Sequence, residues 1–132
     1  MSELRTILPD TLKEILRKHL AWLKNEKGGE KADLSCADLR SADLRSADLR
    51  CAHLRSANLS YADLRSANLD MSVFPLWYGS LDIKVDIRLS AQIAYHFCRF
   101  ETDDPEVKKA QESLKKLANK FHLIGKDVEA IP

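Results

Sequence analysis

The sequence lacks a pronounced charge of either sign. Its 132 residues include 21 basic and 20 acidic side chains, so the formal net charge is only +1. A protein with so little net charge has no overall field that would draw it to nucleic acid or to an anionic membrane. Any attraction of that kind would have to come from a local patch of side chains.

Cysteine is scarce as well: the chain has three, Cys36, Cys51 and Cys98. An odd number this small does not form the disulfide framework that is typical of small secreted proteins. We therefore expect reduced thiols that pack as small apolar groups. A protein with free thiols is expected to work in the cytoplasm, which is a reducing compartment.

Long apolar runs are also missing. No stretch approaches the length of about 20 residues that a helix needs to cross a bilayer. The opening residues, MSELRTILPD, lack the basic start and the apolar core of a secretory signal. The sequence therefore predicts neither a membrane span nor an export signal.

The sequence offers no complete pattern for catalysis or metal binding. It contains no glycine-rich phosphate loop, G-x-S-x-G elbow or H-E-x-x-H motif. His96 and Cys98 could supply two metal ligands, but no second pair with ligand spacing accompanies them. Asp103 and Asp104 fit the start of a helix better than a pair of catalytic acids. We expect a protein that is not an enzyme and needs no cofactor, with a small hydrolase or metal enzyme as the least favoured alternative.

The sequence is rich in a five-residue repeat. From Ala32 to Met71 it reads ADLSC ADLRS ADLRS ADLRC AHLRS ANLSY ADLRS ANLDM. Alanine is first and leucine third in all eight units, and the second place is Asp, Asn or His. A period of five matches neither the α-helix at 3.6 residues per turn nor the strand at 2. The backbone must therefore turn once per unit so that every leucine can point to one interior.

This repeat resembles the pentapeptide-repeat family, whose motif is A-(D/N)-L-x-x. The resemblance implies a mainly β fold with added helices, in which a right-handed quadrilateral β-helix forms the repeat region. Eight units would make two coils with strands about 4.8 Å apart, and Leu44 would stack on Leu64. The N-terminal helix and the short repeat region resemble those of small bacterial and bacteriophage accessory proteins.

The segments beside the repeats are expected to cap the coils, because a solenoid this short exposes both end faces. Residues 11–26 have the spacing of an amphipathic helix, and Thr11 and Glu14 fit a capping box at its start. The apolar cluster at residues 73–78 is expected to close the second coil. Residues 81–87 alternate between apolar and polar side chains, which predicts a strand.

The C-terminal part is predicted to be helical. One helix begins near residue 88, and a second begins at Asp104-Pro105 and ends near Gly125. The apolar residues of the second helix recur at heptad spacing: Val107, Ala110, Leu114, Leu117 and Phe121. This stripe could form the seam of a homodimer, or the preceding helix could fill it within one chain; the family resemblance favours the homodimer.

These patterns divide the chain into three parts. They are an N-terminal capping helix at residues 1–30, a pentapeptide-repeat solenoid at residues 31–75, and a C-terminal capping and helical region at residues 76–132. The solenoid would serve as a rigid scaffold, and the helices would provide caps and a second contact surface.

The outward positions of the repeats form the candidate partner surface. Residues 32–71 hold six aspartates and five arginines, a net charge of −1. The residues chosen for this surface are Asp38, Arg40, Asp43, Arg45, Asp48, Arg50, Arg55, Asp63 and Arg65. They could form either a lattice of solvated charges that offset each other or a surface that binds a partner.

The function predicted from these features is binding of another protein. The family that the repeats resemble includes inhibitors that mimic DNA and bind topoisomerases. Such mimicry depends on a long rod, whereas two coils would span only about 10 Å. DNA carries one charge per ~1.7 Å of axis, so a mimic should be far more acidic, and the interleaved aspartates would repel phosphate. We expect a non-enzymatic module that occludes or bridges a partner, with a DNA mimic or nucleic-acid-binding protein as the alternative. The resemblance makes a phage-encoded inhibitor, such as an anti-CRISPR, one form of such a module, in the cytoplasm of a bacterial or infected host cell.

Overall fold

The computed structural model describes residues 3–132, so Met1 and Ser2 of the predicted N-terminal part lie outside the described residues. Its elements are β1 (Arg5–Thr6), α1 (Pro9–Leu23), β2 (Ala37–Asp38), a 3-10 turn (Tyr78–Ser80), α2 (Ile87–Cys98) and α3 (Pro105–Ala118). The chain forms two compact units, which divide between Lys84 and Val85. Among the described helices, none is both long enough and apolar enough to cross a membrane.

Backbone pairing in the repeats joins residues that lie twenty positions apart. The parallel bridges are Asp33 with His53, Asp38 with Asn58, Asp43 with Asp63, and Asp48 with Asn68. Beside each bridge, a leucine amide of the first four units donates to the paired carbonyl at 2.8–3.0 Å. Four units therefore complete one turn of the solenoid.

The leucines at the third place of each unit fill the interior of the solenoid. Leu44 and Leu64 are each 1% exposed, and Leu69 of the last unit is 6% exposed. Burial of one leucine side chain is worth about 1.5–3 kcal/mol. The period of five thus predicted the apolar core correctly.

Each unit ends in a β-turn. The Ala37 amide donates to the Leu34 carbonyl at 3.1 Å, and the same bond recurs along the repeats. The fifth residue of every unit has φ between 55° and 62°, although none is glycine: Cys36, Ser41, Ser46, Cys51, Ser56, Tyr61, Ser66 and Met71. Type II turns require a positive φ at this place, which costs a residue with a side chain about 1–2 kcal/mol.

Regular strand is less abundant than the resemblance implied. In the part of the chain that the structure describes, the strands are the two-residue β1 and β2, which pair in parallel. The other contacts between coils are isolated bridges, because a turn every five residues leaves only one residue per unit to pair. The prediction of a solenoid with added helices is confirmed, whereas the prediction of a mainly β chain is met only in part.

Helix α1 starts earlier than the sequence indicated. It begins at Pro9, and its N-cap residue Leu8 makes no side-chain hydrogen bond. The capping box predicted at Thr11 and Glu14 is wrong, since both residues lie inside the helix and Glu14 accepts a hydrogen bond from Arg17 at 2.9 Å. Proline fits the first helical position because its missing N–H would have no partner there.

A buried histidine ties α1 to the first coil. His19 is 0% exposed; its Nδ1 accepts from the Ala32 amide at 2.9 Å, and its Nε2 lies 2.8 Å from the Arg50 carbonyl oxygen. Because Nδ1 is the acceptor, the ring proton is on Nε2, which donates to Arg50. Both ring nitrogens therefore have partners in the repeat region.

Residues 73–84 continue the solenoid beyond the last unit. Val73 and Lys84 form parallel bridges to the second coil. The Gly79 carbonyl accepts a hydrogen bond from the second coil at 2.8 Å. This segment belongs to the same compact unit as the repeats.

The second unit is built from α2 and α3. The predicted strand at 81–87 is wrong, because Lys84 alone forms a bridge and α2 already begins at Ile87. Asp104 caps α3 as predicted, accepting from two backbone amides at 2.8 and 3.2 Å. The predicted stop near Gly125 is wrong, since α3 ends at Ala118.

Candidate interaction surface

The aspartates and asparagines at the second place stabilise the turns of their own units. An Asp38 oxygen accepts from the Arg40 amide at 3.2 Å, and Asn58 accepts from the Ser60 amide at 3.0 Å in the same way. Asp and Asn both offer this side-chain oxygen, which mimics a backbone turn. The repeat pattern predicts that these residues lie on the outer surface, but it does not indicate this structural role.

The arginines at the fourth place pair with the aspartate of the same unit. Each guanidinium donates two hydrogen bonds, Nε to Oδ1 at 2.8–2.9 Å and Nη2 to Oδ2 at 2.6–2.8 Å. The pairs are Asp38–Arg40, Asp43–Arg45, Asp48–Arg50 and Asp63–Arg65. Eight of the nine predicted surface residues thus form four neutral pairs.

These pairs hold the carboxylates in the charged form. The hydrogen bond from Arg65 lowers the pKa of Asp63 from 3.8 to about 2. The hydrogen bond from Arg45 likewise holds the pKa of Asp43 well below its ordinary value. Since the positive charge of each of these four arginines lies beside a negative one, the four pairs have little field of their own.

Arg55 is the exception among the predicted surface residues. The second place of its unit is His53, whose Nδ1 lies 3.6 Å from an Asp33 oxygen in the preceding coil. Within residues 3–132, the Arg55 side chain makes no hydrogen bond or ion pair, and it is exposed. It is therefore free to pair with an acidic group of another molecule.

The structure exposes apolar residues around the segment that the sequence predicts to close the second coil. Leu76 is 95% exposed, Tyr78 61% and Val73 47%. Met71 and Leu81, at either end of the segment, are 85% and 58% exposed. We define the exposed segment as residues 71–81. The exposure of Val73, Leu76 and Tyr78 contradicts a plug made from all the apolar side chains of residues 73–78.

Trp77 of this segment is half-buried and turns towards the repeats. Its indole N–H donates to the Ala57 carbonyl at 2.8 Å, and its ring lies so close to Gly79 that a Cβ there would meet it at 2.3 Å. Leu76 and Tyr78, which flank Trp77 in the chain, are exposed. The period of the repeats gave no signal of this arrangement, because the pattern stops at Met71.

Cys98, which the sequence offered as one of two possible metal ligands, has a structural partner. Cys98 Sγ donates to the Gln111 carbonyl at 3.3 Å, and burial raises the pKa of this thiol. Cys36, Cys51 and Cys98 are free and half-buried. Among residues 3–132, no group of three His, Cys, Asp or Glu side chains is placed to hold a metal ion.

The predicted dimer seam is filled in part by the same chain. Phe121 is 6% exposed in a core with α2, where its ring centroid lies 5.0 Å from that of Tyr95, and Leu117 packs against this core. The other three seam residues, Val107, Ala110 and Leu114, are half-buried. The homodimer itself stays a prediction.

Comparison with known proteins agrees with the repeat geometry. Residues 32–70 match the family model of pentapeptide repeats in eight copies. Neither a curated protein nor a solved structure shows significant similarity to the chain. The match covers the residues whose backbone pairs at intervals of twenty. Residues 32–70 are therefore pentapeptide repeats.

Proposed function

We propose that this protein is a non-enzymatic protein-interaction module that acts by occluding or bridging a partner protein. The family suggests a module of this kind. The observation that carries the proposal is the exposed segment, in which Met71, Leu76, Tyr78 and Leu81 are 58–95% exposed. Soluble proteins rarely expose large apolar side chains together unless the surface binds something.

The exposed segment has an ordered backbone before any partner arrives. Bridges at Val73 and Lys84 and the hydrogen bond from Trp77 attach it to the second coil. A partner that binds there has little chain to order, so less of the contact energy is lost. Tyr78 and Met71 are of residue types that are enriched in the cores of interfaces.

The charged repeat surface plays a minor part in this contact. Its ion pairs are solvent-exposed and already satisfied within each unit, so they add little affinity. Arg55 is the surface arginine that is available to pair with an acidic group of the partner. The same neutral pairs argue against the alternative of a DNA mimic or a nucleic-acid-binding protein, which needs one sign of charge.

Several finer statements belong to this proposal. We infer that the repeats form two right-handed, four-sided coils, a geometry supported by four bridge pairs at intervals of twenty. An inhibitor of a host or defence system, encoded by a bacteriophage and working in the cytoplasm, is the narrower form of the function. Its support is the family resemblance.

A homodimer through α3 is proposed with the half-buried seam residues Val107, Ala110 and Leu114 as the contact. Leu114→Glu should then halve the mass measured by light scattering while the circular dichroism spectrum is kept. A wild-type chain that runs as a monomer at high concentration would refute the dimer.

Affinity measurements on variants test the proposed surface. A partner is first identified by pull-down and mass spectrometry, and its Kd is then measured for wild type, Leu76→Asp and Arg45→Ala. Leu76 is 95% exposed, so its substitution should not harm folding. We expect Leu76→Asp to weaken binding at least tenfold and Arg45→Ala to leave it nearly unchanged. If Arg45→Ala weakened binding more than Leu76→Asp, the contact would lie on the charged repeats instead.

A further inference from the structure

Residues 128–131 fold back onto the helices of the second unit. Val128 and Ile131 are partly buried against the core that contains Tyr95 and Phe121. A turn reverses the chain before them: the Gly125 amide donates to the Val128 carbonyl at 2.9 Å, and Gly125 has φ of 81°. The two aliphatic side chains, three residues apart, thus contact the same helical core.

Two side chains of the helical region hold the backbone of this segment. The Asn119 amide donates to the Ile131 carbonyl at 2.9 Å and accepts from the Ile131 amide at 2.7 Å. The Tyr95 hydroxyl donates to the Glu129 carbonyl at 2.9 Å. An asparagine amide carries both a donor and an acceptor, so it can pair with both backbone groups of one residue.

Residues 129–132 have no regular secondary structure, and the hydrogen bonds that hold them come from side chains of Tyr95 and Asn119. Within residues 3–132, no backbone-to-backbone hydrogen bond reaches these four residues. Proteins capture extended peptides by hydrogen bonds to the peptide backbone together with contacts for its apolar side chains. The segment therefore lies on the helices in the manner of a bound peptide.

We propose that this surface, formed by Tyr95 and Ala94 of α2 with Ala118, Asn119 and Phe121 at the end of α3, is a peptide-binding groove. Its ligand is an extended segment of a partner protein with aliphatic side chains three residues apart, and residues 128–131 occupy the groove until that segment displaces them. The groove is built from different residues than the exposed segment 71–81. Failure of either proposal therefore leaves the other standing.

Because residues 128–131 belong to the same chain as the proposed groove, they compete with a free peptide for it. A tethered segment acts at an effective concentration in the millimolar range, so it outcompetes a free peptide of the same sequence. Release of the tethered segment should therefore uncover a site that binds the free peptide more tightly. This expectation separates a displaceable segment from a permanent part of the core.

The test uses the full chain and a fluorescent peptide with the sequence of residues 126–132. Ile131→Asp releases the tethered segment, and Ala130→Asp is the matched control because Ala130 is exposed. We expect fluorescence anisotropy to show at least tenfold tighter peptide binding to Ile131→Asp than to wild type or Ala130→Asp. Asn119→Ala in the Ile131→Asp chain should weaken binding about tenfold. Equal binding to Ile131→Asp and Ala130→Asp would overturn the proposal.

A measurement on the wild-type chain covers the case in which Ile131→Asp does not fold. Hydrogen exchange at the Ile131 amide should be at least tenfold faster than at the Ala118 amide, because the segment opens while the helices stay folded. Equal exchange rates would show that the segment is a permanent part of the core and would overturn the proposal. A wild-type dimer that Ile131→Asp converts to a monomer would identify a second copy as the ligand, which also contradicts it.

Discussion

At the scale of single residues, each place in the repeat unit has its own physical task. The third-place leucine fills the interior, the second-place Asp or Asn accepts the backbone amide of its turn, and the fifth-place residue takes a positive φ. The fifth place varies most in residue type, since Cys, Ser, Tyr and Met all occur there. The first prediction compares an inward residue with its outward neighbour.

Leu44→Asp should unfold the solenoid, because it would place an unpaired charge where the leucine is 1% exposed. We expect a loss of at least about 3 kcal/mol in the free energy of unfolding. Arg45→Ala should leave the melting temperature nearly unchanged, since the Arg45 side chain is 58% exposed. Similar losses in the two variants would contradict the inward assignment of the leucines.

The fifth place offers a test of backbone conformation. Ser46 is exposed and has φ of 60°, a region that a β-branched residue strongly disfavours. Ser46→Val should lower the free energy of unfolding by about 1–2 kcal/mol, whereas Ser46→Asn should be tolerated because asparagine adopts this conformation readily. Equal stability of the two variants in urea denaturation would argue against the turn geometry.

The titration of Asp63 tests the ion pairs. Its pKa is lowered from 3.8 to about 2 by the hydrogen bond from Arg65, so the folded state binds this proton less readily than the unfolded state. The pair's contribution to stability is therefore present above pH 3.8 and is lost as the pH falls toward about 2. Carbon NMR of the carboxyl group should report the low pKa, and Arg65→Ala should raise it. A wild-type pKa near 3.8 would contradict the pairing.

At the scale of elements, His19 decides how α1 is joined to the first coil. His19→Phe replaces the imidazole with an aromatic ring that has no nitrogen. It therefore leaves the Ala32 amide and the Arg50 carbonyl without their partner. Each buried polar group left unpaired costs about 1–3 kcal/mol, so urea denaturation should show a large loss. Lys13→Ala, an exposed change on the same helix, should have little effect. A loss no larger than that of Lys13→Ala would mean that the histidine does not join the two elements.

Some elements could be predicted from the sequence because their signals are local. The N-cap at Asp104 and the inward leucines follow from one residue's chemistry and from a strict period. The start of α1 was misplaced because Pro9 and Thr11 both favour a helix start, and the structure uses the proline. The predicted strand at 81–87 failed because Lys84 is the one residue of this range that forms a β-bridge to the second coil.

The candidate site could be predicted only in part. The outward Asp and Arg places follow from the period, but their pairing within one unit depends on the turn geometry, which the letters alone do not show. The exposure of Leu76 depends on Trp77, which takes the inward position beside Gly79. A run of apolar residues does not tell which members pack and which remain outside.

At the scale of the whole molecule, the central claim is that the protein binds its partner through the exposed segment. Hydroxyl-radical footprinting of the complex tests this claim directly, because Met71 and Tyr78 in the segment and Tyr61 on the repeats are all well exposed, at 85%, 61% and 62%. The account predicts that the partner protects Met71 and Tyr78 from oxidation while Tyr61 stays as reactive as in the free chain. Protection of Tyr61 with Met71 and Tyr78 unchanged would contradict it.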